Sequence, residues 1–208
     1  MVNKISYILG GVGLSNKIGK LTVIVGPMYS GKTTELLNYA EIYELGRKKI
    51  LILKPQIDTR YSKDDVVTHK FFKMPARAIK DVQEMEEYYK SLNEKPDAIF
   101  IDEVHFFDSS LTKLVKEITK DGVDVYCAGL DMNYLWDPFE TTAMLMAVAD
   151  EVIKKRAVCE VCGEYKGTLS YKKKSNGGIF DVGGKEKYIA VCKECYEELK
   201  SKEEGKLI

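Results

Sequence analysis

The stretch Gly26-Pro27-Met28-Tyr29-Ser30-Gly31-Lys32-Thr33 limits what this chain can fold into more than any other. It spells G-x-x-x-x-G-K-[ST], the phosphate-binding loop of nucleotide hydrolases and kinases. Before it runs Leu21-Thr22-Val23-Ile24-Val25, apolar and β-branched, which predicts a buried strand. After it, apolar residues at 36, 37, 40, 42 and 45 predict one stripe of a helix over 33–45, with Gly46 as its stop. Strand, loop and helix in that order are the setting in which the motif binds phosphate. The two glycines let the backbone approach phosphate oxygens, while loop N–H groups and the helix N-terminus supply positive potential. Lys32 is placed to reach the β- and γ-phosphates and the Thr33 hydroxyl to bind Mg2+.

The remaining chain repeats the alternation. Strands are expected at 49–53, 98–101, 123–130 and 150–158, with a short one at 66–68 and extended chain at 75–79. Helices are expected from Asp81 to about Leu92, from Ser109 or Ser110 to about Asp121, and over 141–149. Strands alternating with helices imply an α/β fold built on a parallel sheet. From Cys159 the texture changes to a polar, glycine-bearing segment, which suggests a lid, a binding loop or a β-ribbon, closed by a short charged helix over 196–204. The division expected is a leader over 1–17, a nucleotide-binding domain over 18–155 and a small C-terminal unit over 156–208. The leader reads as flexible and lacks a secretory core and cleavage site.

Charge excludes one class of partner. Lys plus Arg and Asp plus Glu both number 32 in 208 residues, so no basic field favours sequence-blind binding to nucleic acid. No apolar run approaches a membrane span. The expectation is a cytoplasmic protein with neither nucleic acid nor membrane as partner.

Two further constellations carry chemistry. The strand at 98–101 delivers Asp102-Glu103-Val104-His105. An acid at this place in a P-loop fold holds Mg2+, directly or through water. Its neighbour Glu103 points another way and can take a proton from an attacking hydroxyl or water; the alternative is that both acids only bind metal and water. His105 lies near the same site. Of the five cysteines, Cys159, Cys162, Cys192 and Cys195 form two C-x-x-C pairs, the spacing of a four-thiolate zinc site with no open position, hence structural. Redox or adventitious cysteines are the alternative. Cys127, amid apolar neighbours, reads as core.

Together GPMYSGKTTEL, DTRY, FIDEVHFF, AGLDMNYLWDPFETT, the first C-x-x-C, VGGKEKY and the second C-x-x-C followed by Tyr resemble the type II thymidine kinases, from Gly19 to about Tyr196. The resemblance implies a RecA-like P-loop parallel sheet with a small zinc-binding "lasso" domain. It implies ATP, as its Mg2+ complex, phosphorylating the 5′-hydroxyl of thymidine to dTMP. Glu103 matches the general base, Gly26 to Thr33 the phosphate loop, and Asp102 the metal-linked acid. Asp58 and Arg60 match loop residues serving the phosphates, with His105 beside them. Met28, Phe106, Leu130 and Tyr134 match the wall around the nucleoside. Ser170, Ile179, Phe180, Asp181, Val182, Gly183 and Tyr188 match the lasso that closes over the base. The cysteines match its zinc ligands. The family is typically homotetrameric and inhibited by dTTP. The chain departs from it at Ser170, which takes the place of a Thr, at Tyr171, which stands where many members have an Arg, and in using Cys195 where some use His. A different reading of the residues is a nucleic-acid-stimulated P-loop ATPase with a zinc-ribbon module, since Asp102-Glu103-Val104-His105 also spells a helicase-like box. A nucleotide-binding adaptor without turnover is a third, which the intact acid pair disfavours.

Overall fold

The computed structural model describes residues 17–57, 65–67, 73–173, 178–180 and 182–205. Most of the leader, Asp58, Arg60 and Asp181 lie outside the described residues. A six-stranded sheet is formed by β1 (Leu21–Val25), β2 (Ile50–Pro55), β5 (Arg77–Ile79), β6 (Ala98–Ile101), β7 (Asp124–Gly129) and β8 (Glu151–Lys154), in the order β5-β2-β6-β7-β1-β8. Every pairing in it is parallel. Two short strands, β3 (Asp65–Val67) and β4 (Lys73–Pro75), pair antiparallel with each other.

Both faces of the sheet are covered, so its central strands are apolar throughout rather than alternating. Val23, Val25, Leu53, Ile99, Ile101, Val125 and Cys127 face one side. They pack there with Leu111, Leu114, Val115 and Ile118 of α3 (Leu111–Lys120), Leu145 of α4 (Glu140–Val148), and Val82, Met85 and Tyr89 of α2 (Val82–Ser91). Ile24, Ile52, Phe100 and Ala128 face the other side, against Leu36, Leu37 and Ala40 of α1 (Lys32–Leu45). This is period-two alternation with both sides buried.

The α1 stripe differs from the expected one. Ile42 and Leu45 are 60% and 78% exposed, and Tyr39 and Tyr43 pack against the sheet in their place. A step of 100° per residue carries 42 and 45 away from the side that holds 36, 40 and 43. Tyr39 stacks on Tyr126, and Tyr126 stacks on Phe100. Two more elements differ in detail. The N-cap position of α3 is Ser110, but its side chain makes no capping bond; Asp108 accepts from the Ser110 N–H instead. The strand expected over 150–158 is only β8, and the extended chain near 75–79 supplies the sheet's edge strand β5.

The C-terminal unit is an antiparallel ribbon of β9 (Leu169–Lys172) and β10 (Tyr188–Val191), followed by α5 (Lys193–Glu204). Its core is small: Cys159, Leu169, Tyr171, Val191, Cys192, Cys195 and Tyr196. Tyr196 donates its hydroxyl proton to the Tyr134 carbonyl at 2.8 Å and meets Trp136 edge to face, which docks the unit on the β7–α4 loop. Among the described residues no helix is long and apolar enough to cross a membrane.

Candidate active site

The phosphate loop turns at the carboxyl end of β1. Gly26 has φ 144°, and a Cβ there would stand 2.5 Å from the Lys155 carbonyl oxygen, so only glycine fits. Gly31, at φ 80°, opens α1 from the left-handed region. Between them, Pro27 offers its carbonyl to the Ser30 hydroxyl at 2.8 Å and to the Lys32 ammonium at 2.7 Å. Lys32 is therefore folded over the loop and buried.

Sheet topology brings Asp102 to this loop although β7 separates β6 from β1. The Thr33 hydroxyl donates to Asp102 Oδ2 at 3.0 Å, and Asp102 Oδ1 accepts the Glu103 N–H at 2.9 Å. A hydroxyl and a carboxylate are the hard oxygen donors that Mg2+ takes, so the pair fits that ion. Glu103 sits at φ 51°, a left-handed conformation that a residue with a Cβ holds at a cost of about 1–3 kcal/mol. That turn carries its side chain off the strand direction, and the side chain is only 12% exposed. The residue after it packs closely on β7: a Cβ on Gly129 would lie 2.8 Å from the Val104 side chain.

His105 is buried between Phe106 and Phe139, with ring centroids 4.3 and 4.9 Å away. Its Nδ1 accepts the Leu130 N–H at 3.2 Å. A neutral His105 then carries its proton on Nε2. Its Nδ1 also stands 3.4 Å from Glu103 Oε2.

The residues expected around a base fall into two groups. Phe180 reaches from the lasso segment to Phe106 and Phe139, at 6.2 and 5.7 Å between centroids. Tyr134 and Tyr188 flank the buried Lys172, whose ammonium lies 4.9 and 5.8 Å from their ring centroids and donates to the Gly178 carbonyl at 3.4 Å. Lys187 donates to the Val182 carbonyl at 2.9 Å. Ile179 and Gly183 lie on the same segment, Ile179 exposed and Gly183 half-buried. Ser170 lies on the ribbon that carries this segment, and its hydroxyl oxygen accepts the Met28 N–H at 3.0 Å.

Sequence reasoning overlooked Lys172 and considered Tyr171 instead. Tyr171 faces the cysteine core, meets Tyr196 edge to face, and donates its hydroxyl proton to Glu203 at 2.5 Å. Strand alternation was the missed signal, since residues two apart share a face and Ser170 points to the phosphate loop. Phe139 was also missed.

The four sulfurs of Cys159, Cys162, Cys192 and Cys195 all lie within 4.8 Å of one another, and those of Cys162 and Cys192 are 4.0 Å apart. Zinc with bonds of about 2.3 Å holds tetrahedral sulfurs about 3.8 Å apart, so the donor set fits zinc. Burial pushes the Cys159 thiol up, but N–H groups of Cys162, Cys192 and Val161 outweigh it and bring the thiol down to about 6, toward the thiolate a metal takes. Cys127 is fully buried in the sheet, and burial alone pushes its thiol far up.

Fold and site together define a P-loop nucleotide-binding protein whose phosphate loop is met by a cysteine-anchored ribbon. The family model described as thymidine kinase matches residues 19–196. A thymidine kinase of Pseudothermotoga lettingae is 53% identical over 184 residues, covering 88% of this chain and 98% of that protein. The chain belongs to the thymidine kinase family.

Proposed function

We propose that this protein transfers the γ-phosphoryl group of MgATP to the 5′-hydroxyl of thymidine, giving dTMP and ADP. The observation that carries the reading is the meeting, at one end of the sheet, of the phosphate loop, the Thr33–Asp102 pair and the largely buried Glu103, with the ribbon fastened to that loop. Family membership supplies the nucleoside.

In this reading the 5′-oxygen attacks the γ-phosphorus as the bond to the β–γ bridging oxygen breaks, and Glu103 takes the hydroxyl proton. A placed base contributes about 100- to 10,000-fold. Gly26 to Thr33 cradle the phosphates with main-chain N–H groups, and Lys32 draws negative charge from them. Thr33 and Asp102 hold Mg2+, which when bound neutralises charge on the phosphates. Asp58, Arg60 and His105 belong to the nucleotide side of the site. Met28, Phe106, Leu130, Tyr134, Ser170 and Tyr188, with Ile179 to Gly183, enclose the nucleoside. Cys159, Cys162, Cys192 and Cys195 would hold a zinc ion, and such an ion would staple both stems of the ribbon. A core that small gains from such a staple, because metal binding contributes directly to folding.

Lasso backbone groups read the base edge in this account. An exchanged donor and acceptor leave buried groups unpaired, so cytidine is rejected more strongly than deoxyuridine. Loss of the thymine methyl is worth only about 1–3 kcal/mol. A cytoplasmic homotetramer inhibited by dTTP, with no nucleic-acid partner, completes the proposal.

The test is an ADP-release assay across a panel of nucleosides, single-stranded DNA and RNA. Release that requires thymidine supports the reading. Release driven by nucleic acid and indifferent to nucleosides contradicts it.

A further inference from the structure

We infer that Ser170 is a positioning residue that couples the nucleoside site to the phosphate loop, so that thymidine and nucleotide strengthen each other's binding. This rests on the thymidine kinase reading and adds to it a thermodynamic link between the two substrates.

The link is a single peptide plane. Ser170 is buried on β9, opposite Ala190 of β10, in the ribbon whose stems hold the cysteines. Its hydroxyl oxygen accepts the Met28 N–H at 3.0 Å, a contact between residues 142 apart in sequence. The peptide joining Pro27 and Met28 is rigid, and in a trans peptide the N–H and C=O point in opposite directions. No cis peptide bond is present among the described residues. The far end of this plane is the Pro27 carbonyl, which accepts from Ser30 Oγ at 2.8 Å and Lys32 Nζ at 2.7 Å. The ribbon therefore grips one end of a plane whose other end orients the phosphate-loop lysine. Neighbouring geometry reinforces the grip. Tyr29 stands at φ 62°, and the Lys185 ammonium, from the ribbon's turn, lies 5.6 Å from its ring centroid.

A nucleoside that fixes the ribbon fixes this plane, and with it Lys32. A nucleotide that fixes Lys32 fixes the ribbon in turn. Such coupling is reciprocal by linkage and typically amounts to about 5- to 150-fold in affinity. The Ser hydroxyl matters as an acceptor, so threonine at 170 preserves the device and alanine removes it.

The experiment is titration of the full-length protein with a non-hydrolysable ATP analogue and Mg2+, with and without saturating thymidine. Wild type is expected to bind the analogue at least about five-fold more tightly with thymidine present. In Ser170→Ala the gain falls to about two-fold or less, and Ser170→Thr restores it. Ser170→Cys keeps the volume, weakens the acceptor and lowers the gain as well, which tests the inference even should the alanine variant fold poorly. A merely structural Ser170 would lower melting temperature and leave the gain intact. That result, or a wild type that binds both ligands without mutual gain, overturns the inference and leaves the kinase reading standing. A wild type that binds no thymidine overturns both.

Discussion

Thr33, in the first turn of α1, and Asp102, just after β6, are 69 residues apart, yet the hydroxyl of one donates to the carboxylate of the other at 3.0 Å, although β7 lies between β6 and the β1 strand that leads into α1. The bond sets two oxygen donors side by side next to the phosphate loop. Asp102→Asn removes the charge and keeps the size. Its kcat is expected to fall by about 100-fold or more, because a metal's stabilisation of phosphoryl charge is worth several kcal/mol. The Mg2+ concentration for half-maximal rate should rise as well. Titrating Mg2+ at saturating ATP and thymidine checks both, and an unchanged Mg2+ requirement would place the ion elsewhere.

The cysteine cluster predicts about one zinc per chain by elemental analysis. Cys192→Ser, or chelation under mild denaturant, should lower that content and raise the KM for thymidine more than the KM for ATP. The sheet, with its own two-sided core, should keep its cooperative thermal transition. Full activity in metal-free protein would show that the ribbon does not depend on the staple.

Lys172 holds a lasso carbonyl while its ammonium lies between two tyrosine rings. A partly desolvated cation–π contact contributes about 0.5–2 kcal/mol, and a charged hydrogen bond adds to it. Lys172→Met should therefore raise the KM for thymidine about ten-fold or more, by an effect larger on KM than on kcat, with Lys172→Arg partly restoring it. Steady-state kinetics with thymidine varied measures this.

What was legible in the chain was whatever local chemistry decides. The run 21–25 and the glycines of the phosphate loop prescribe strand and turn almost alone, and paired cysteines announce their own cluster. The side of α1 was misread because Ile42 and Leu45 are apolar yet point outward, while two tyrosines pack against the sheet. Arg77–Ile79 is too short for a periodic signal, and only its pairing with β2 makes it a strand. The Ser170–Met28 bond and the Lys172 clamp depend on how the ribbon docks, which no local pattern encodes. The strained turn at Glu103 was equally hidden, since nothing about a glutamate foretells a positive φ.

Stability at low pH should follow Asp124. Burial alone would raise its carboxyl, but the Lys20 N–H, the Tyr43 hydroxyl and Lys17 outweigh this and hold it below its ordinary 3.8. A depressed folded value gives stability that is present above the unfolded value and is lost as pH falls through the folded one. Asp124→Asn should thus cost about 1.5–3 kcal/mol at neutral pH. The gap from wild type should narrow as pH drops below about 4. Urea unfolding at both pH values measures it, and a gap independent of pH would remove the charge from the explanation.

Glu103 is proposed to draw the proton from the thymidine 5′-hydroxyl. The most direct measurement is single-turnover phosphoryl transfer by Glu103→Gln, with thymidine and ATP-analogue affinities taken on the same preparation. The expected rate is lower by about 100- to 10,000-fold, with both affinities within about three-fold of wild type, a change of under 1 kcal/mol. A variant that binds both ligands and transfers phosphate at close to the wild-type rate would contradict it.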